Sequence, residues 1–168
     1  PEDGLDKRVK RDKIPYDQWK REGFLKATPG NVVDYAIIEK DIKALYKKFD
    51  IKEIGYDRWG AYTLTQALAS AGITMVEMAQ GPQTFSPAMK ELQKMILGKE
   101  IEHGGHPVLR WAFGNVQVSQ DANENIRPVK VKGAKRIDPA VAMIMGVGRA
   151  ILHKKKSSVY ETRGVRTL

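Results

Sequence analysis

The stretch from residue 141 to 152 limits this chain's fold more than any other. Asp138-Pro139 opens a helix there that is apolar on most faces. A helix of that kind has to be buried, and the expected cover is a sheet. It is too short to span a bilayer and is interrupted by Gly146, Gly148 and Arg149. The chain must therefore supply layers around it.

The rest of the sequence offers those layers unevenly. Residues 34–49 read as an amphipathic helix with Ile38, Ile42, Leu45 and Phe49 on one stripe. A short strand follows over 52–57, then a helix over 61–71 with Leu64 and Leu68 four apart and Gly72 as its stop. A second strand is expected over 73–78. Ser86-Pro87 looks like a helix start, with Met89, Leu92 and Ile96 as its stripe and Gly98 as its end. A brief edge strand over 99–102 and a helical turn over 108–113 come next. Residues 116–120 and 126–131 flank the polar loop 121–125 as a hairpin. The first thirty residues read as a surface segment, nearly all charge up to Lys13, with a short helix near Pro15-Tyr16-Asp17-Gln18-Trp19 and a turn at Thr28-Pro29-Gly30.

Strands alternating with helices give an α/β class. Only two strands look central, fewer than the helix at 141–152 needs, so strands are expected to be missing from this chain. At 168 residues there is material for one core but not for two domains.

Charge narrows the function. Residues 1–125 carry 18 Lys+Arg and 18 Asp+Glu, whereas residues 126–168 carry 11 and 2, so the whole net charge of +9 lies in the last quarter. Such segregation suits a polyanion, nucleic acid before anionic lipid, with a solubilising tail as the plainer reading. The absence of cysteine excludes disulfides, thiolate nucleophiles and Cys-type zinc sites. No charged segment followed by an apolar one opens the chain as an export signal.

Two acids are candidates for chemistry. Asp57 ends the first strand, where open α/β sheets place their sites, though a turn-forming Asp before a helix looks the same. Asp138 stands where an N-cap belongs, and capping accounts for it equally well. Carboxylates converging on one sheet edge would hold Mg²⁺ or Mn²⁺. His103 and His106 share a Gly-Gly-Pro loop whose spacing is no recognised zinc pattern. There is no phosphate-binding glycine loop and no serine-esterase elbow. Arg127, Lys130, Lys132, Lys135 and Arg136 lead directly into Asp138 and would draw phosphates toward it, or else form a solvated strand face.

Several segments then fall into a familiar order. They are Tyr56-Asp57-Arg58-Trp59-Gly60-Ala61, Met78-Ala79-Gln80-Gly81, the stretch 99–106 with Pro107-Val108-Leu109-Arg110-Trp111, Asn115-Val116, residues 121–128 with Lys130, and Arg136-Ile137-Asp138 before an Ala- and Met-rich helix. This series, over residues from about 15 to about 152, resembles the C-terminal nuclease domain of the large terminase subunit of tailed phages and prophages. The resemblance implies a ribonuclease-H-like mixed sheet flanked by helices. It implies an endonuclease that cuts concatemeric phage DNA during packaging, using two Mg²⁺ or Mn²⁺ ions. Of the family's three metal-binding acids, two match Asp57 and Asp138, and the basic hairpin matches one beside the active site.

The family's first acid lies on an opening strand, and Asp3, Asp6 and Asp12 follow no apolar run. The resemblance therefore implies a nuclease domain over 1–153 that starts after its first strands, with a basic flexible tail over 154–168. Such a fragment should bind metal weakly and be inactive on DNA by itself. Double-stranded DNA, a portal protein and a small terminase subunit are the implied partners, and the host bacterial cytoplasm the implied place. The competing readings are a non-catalytic nucleic-acid-binding module and a structural protein whose basic tail meets an acidic partner.

Overall fold

Local signals decide most element boundaries. The computed structural model describes residues 1–131 and 136–153. Asp34 caps a helix over Tyr35–Lys48 (α3 in chain order), its side chain accepting the Ala36 N–H at 2.8 Å. Two short helices precede it, α1 over Leu5–Asp12 and α2 over Tyr16–Arg21. Strand β1 (Ile54–Tyr56), helix α4 (Tyr62–Ser70) and strand β2 (Met75–Glu77) follow. Gly72, at φ +83°, provides the left-handed turn that returns the chain from α4 to β2. β1 and β2 run parallel, with Ile54 opposite Met75 and Tyr56 opposite Glu77. Helix α5 spans Pro82–Leu97 and α6 spans Pro107–Phe113. The hairpin pairs β3 (Val116–Gln120) with β4 (Ile126–Lys130), Val116 opposite Lys130, before α7 at Asp138–His153.

The core forms between α5 and α7. Met78, Phe85, Ala88, Leu92, Ile144 and Met145 make one buried cluster, with Leu92 and Ile144 at 3% and 2% exposure. Each large side chain there contributes about 1.5–3 kcal/mol by leaving water. Gly148 lets the two helices approach, because a Cβ there would stand 3.1 Å from the Ala88 Cβ.

Five expectations change. α7 is buried mainly against helices α5 and α6, with β1 as a smaller contact, rather than against a broad sheet. The expected single mixed sheet appears, among the described residues, as two separate two-stranded sheets, one parallel and one antiparallel. α5 begins at Gly81-Pro82, one turn before Ser86-Pro87. Proline at the first helical position serves either start, and the earlier one places Phe85 in the core, which offsets the hydrogen bond that Pro87 cannot make. Residues 99–102 form no strand, and Lys99 at φ +55° turns the chain out of α5. Finally, the first thirty residues are only partly surface. α1 buries nothing, but Tyr16 and Trp19 are both 7% exposed and pack on Trp111, Tyr16 edge-on at 6.2 Å and Trp19 tilted at 5.5 Å.

The α3 stripe stays largely uncovered, with Leu45 and Phe49 about half exposed. Among the described residues no helix is long and apolar enough to cross a membrane.

Candidate functional site

The relation between β1 and α7 sets the site. Glu53, just before β1, takes a two-point hydrogen bond from the Arg149 guanidinium and lies 3.0 Å from His153 Nε2. Just after β2, Gln80 Nε2 donates to the Met78 carbonyl at 3.0 Å and reaches Met145 Sδ at 3.8 Å. The strands thus run against α7, and their carboxyl ends point toward the end that Asp138 opens. Gly55 faces α7, since a Cβ there would meet Met78 Sδ at 2.6 Å and Arg149 Cγ at 3.5 Å. Side chains alternate along a strand, so Asp57, two residues on, falls on the same face.

Asp57 does part of what a turn residue does. Its Oδ1 accepts the Trp59 N–H at 3.2 Å, an Asx-type turn, and Gly60 at φ +72° completes the bend into α4. The other oxygen accepts nothing from a described residue. Asp57 lines a cleft of about 250 Å³ with Arg58, Trp59, Glu77, Met78, Ala79 and Gln80. Glu77 shares this cleft at the end of the neighbouring strand, but Arg58 lies 3.9 Å from it.

Asp138 is not the cap that its sequence position suggested. It is the first residue of α7, and the first helical bond runs from the Val141 N–H to the Ile137 carbonyl at 2.9 Å. No described residue donates to the Asp138 carboxylate, which is exposed beside the positive end of α7. From Met145 back to Asp138 is about 10 Å of helix. The two acids therefore face one end of the molecule, but the described residues contain no group of three His, Asp or Glu that could hold a metal. Their donors nevertheless suit a hard cation. Mg²⁺ is commonly held by one or two carboxylates, several waters and substrate phosphates, and both acids keep unengaged oxygens.

The cations separate into three groups. Arg127 and Lys130 are exposed on β4 and, by alternation, on opposite faces of the ribbon. Arg136 is exposed but adjoins a network in which Tyr16 Oη donates to Asp12 Oδ2 at 3.2 Å and Arg11 holds both Asp12 oxygens. Arg11 first, and Arg136 more weakly, keep the Asp12 carboxyl below its usual range, while burial raises the Tyr16 phenol. Lys132 and Lys135, like the tail 154–168, lie outside the described residues.

Asn115 went unassigned in the sequence and proves central here. It is 3% exposed, its carbonyl accepts the Val131 N–H at 3.2 Å, and its Nδ2 donates to the Arg136 carbonyl at 3.2 Å. One buried side chain and its own backbone thus fix both ends of the basic connection into Asp138. Only an Asn preceding a strand marked it. The histidine loop has a packing role instead, with the His106 ring edge-on to Phe24 at 5.1 Å.

Comparison with known proteins bears on the family and the fold. The family described as "Terminase large subunit, endonuclease domain" matches residues 1–154. The chain is 38% identical over 152 residues to the terminase large subunit of Enterobacteria phage HK97, covering 89% of this chain and 30% of that protein. It is 34% identical over 158 residues to Protein YmfN of Escherichia coli (strain K12), covering 91% and 35%. The chain thus spans about a third of the length of these curated relatives. The crystal structure of the HK97 large terminase superposes with a TM-score of 0.80 over 89% of this chain and 32% of that one. The large terminase nuclease from thermophilic phage G20c, 14% identical, shares the fold at a TM-score of 0.54 over 74% and 64%.

Proposed function

The chain belongs to the terminase large subunit endonuclease-domain family, and we propose that it is the DNA-cutting module of a viral packaging terminase. In this reading it is a ribonuclease-H-like endonuclease that hydrolyses phosphodiesters of concatemeric phage DNA. The observation that carries the proposal is the pair of partly unengaged carboxylates, Asp57 and Asp138, at one end of the β1–α7 contact.

Asp57 and Asp138 would hold the divalent ions, two Mg²⁺ or Mn²⁺, which when bound supply an activated water and neutralise the leaving oxygen. The protein's own work is positioning. The Trp59 N–H fixes one Asp57 oxygen and leaves the other without a partner among the described residues, in a side chain that lines the cleft. The bidentate Arg149–Glu53 contact holds α7 against β1, and the Gly148–Ala88 approach seats it on α5, which together place Asp138. Arg127, Lys130, Lys132, Lys135 and Arg136 bind backbone phosphates, so affinity should fall steeply with salt and carry little sequence preference. Double-stranded DNA is the substrate, a portal protein and a small terminase subunit are partners, and assembly takes place in the host cytoplasm.

The test is Asp57→Asn and Asp138→Asn in a large subunit carrying this domain. Each should abolish Mn²⁺-dependent nicking while DNA affinity survives. Full cleavage by both variants would reject the assignment, and DNA binding with no metal-dependent cleavage in any form would leave a non-catalytic binding module.

A further inference from the structure

Trp59 is the most exposed large apolar side chain among the described residues, at 78%, with Tyr62 close behind at 74%. The other two tryptophans, Trp19 and Trp111, lie 5.5 Å apart within the cluster around Tyr16. Scattered exposed apolar residues are ordinary. Trp59 differs in its placement. It lines the cleft that holds Asp57, and its backbone N–H is bonded to the Asp57 carboxylate, so its backbone is tied to the acid two residues away. The Arg58 guanidinium lies 5.2 Å from its ring centroid, and the Arg58 side chain is still 65% exposed, its one ion pair among the described residues being the long contact to Glu77.

An open indole with a cation against it is the pattern by which proteins hold single-stranded nucleic acid. Bases stack on the ring whatever their identity, and arginine adds cation–π attraction and a phosphate contact. In an intact duplex the faces of each base are covered by its neighbours, so such a platform has a partner only where a strand is frayed, nicked or opened. We propose that Trp59, with Arg58 against it, stacks an unpaired nucleobase of the DNA beside Asp57. The domain thereby grips a locally unpaired strand in addition to the duplex held by its hairpin cations. This deepens the terminase reading above and rests on it for the identity of the polymer.

The experiment needs no metal and no cleavage. The chain is titrated in EDTA with a short fluorescently labelled oligothymidylate and with a matched duplex, following both intrinsic tryptophan emission and label anisotropy. Oligothymidylate should quench the wild-type emission. Trp59→Phe, which keeps an aromatic face, should still bind by anisotropy but lose the quench. Trp59→Ala should lose roughly tenfold in oligothymidylate affinity, the scale of one base–aromatic stack, while duplex affinity stays within about twofold. Circular dichroism should be unchanged in both, as expected at an exposed site. A quench that persists in Trp59→Phe, wild-type oligothymidylate affinity in Trp59→Ala, or no oligothymidylate binding by the wild-type chain would each overturn the proposal. Because cleavage is not read, these outcomes are independent of whether Asp57→Asn still cuts.

Discussion

Strand β1 carries an acid beyond each end, and the two could hardly be treated more differently. Glu53 is saturated: its side chain is 10% exposed, both oxygens take the Arg149 guanidinium, and His153 stands beside them. Asp57, four residues on, has one oxygen in a turn and the other open to a cleft. A carboxylate whose hydrogen-bonding capacity is fully used inside the protein holds elements together. One that keeps an unused oxygen at the carboxyl end of parallel strands can bind something else. Residue type does not separate the two roles, but the partners do.

Substitutions should expose that difference. Asp57→Asn in a large subunit carrying this domain should lower Mn²⁺-dependent nicking by more than about 100-fold, the upper range for losing a mere outer-shell partner of a metal. Its melting temperature should scarcely move, since nothing charged depends on it. A large loss of stability with activity retained would reverse the roles assigned to the two ends of β1.

Glu53→Gln should do the opposite, lowering the melting temperature by several degrees without removing a ligand. The sign with pH follows from the ion pair. Arg149 first, then His153, hold the Glu53 carboxyl below its ordinary value. Its contribution is therefore fully present above the unfolded glutamate pKa of about 4.3 and is lost as pH falls through the lower folded value. Thermal melts between neutral and acid pH should show that slope in the wild type and less of it in Glu53→Gln.

Asn115→Ala tests whether α7's opening is held from the other side. Loss of the hydrogen bond to the Arg136 carbonyl should cost about 1–2 kcal/mol in a denaturant melt. It should also reduce nicking more than duplex affinity, because Asp138 is displaced and the hairpin cations are not. The smallest effects belong to the hairpin. Arg127→Ala and Lys130→Ala should each weaken duplex binding a few-fold and reduce the slope of log affinity against log salt by about 0.9 for each phosphate that is no longer neutralised. Equal slopes in wild type and variants would remove β4 from the DNA interface.

Much of the fold could be read along the chain. The Gly72 stop and the hairpin either side of Asp121 rest on turn signals within a few residues, and the strand–helix–strand order around α4 on the apolar pattern of each segment. The Asp121 loop is typical, its carboxylate accepting the Asn123 and Asn125 N–H groups at 2.9 Å. Burial overrode a local signal at the start of α5. Ser86-Pro87 carries the signals of a helix start, yet α5 opens at Pro82, which places Phe85 in the core. Of the site, Asp57 and Asp138 were visible as positions, but the oxygens they leave unengaged were not, and Asn115 and Trp59 carried no chemical signature of their own.

What the sequence determined by itself was local and compositional: most of the helices and strands, that the helix over 138–153 needs cover, and that the excess positive charge gathers after residue 125. Tertiary structure decided which acid is spent and which is free. Glu53 meets Arg149 across 96 residues of chain, and Asn115 meets Arg136 across 21. Contacts that distant leave no periodicity or spacing in the sequence, because they are set by the packing of α7 on α5 and not by the residues on either side.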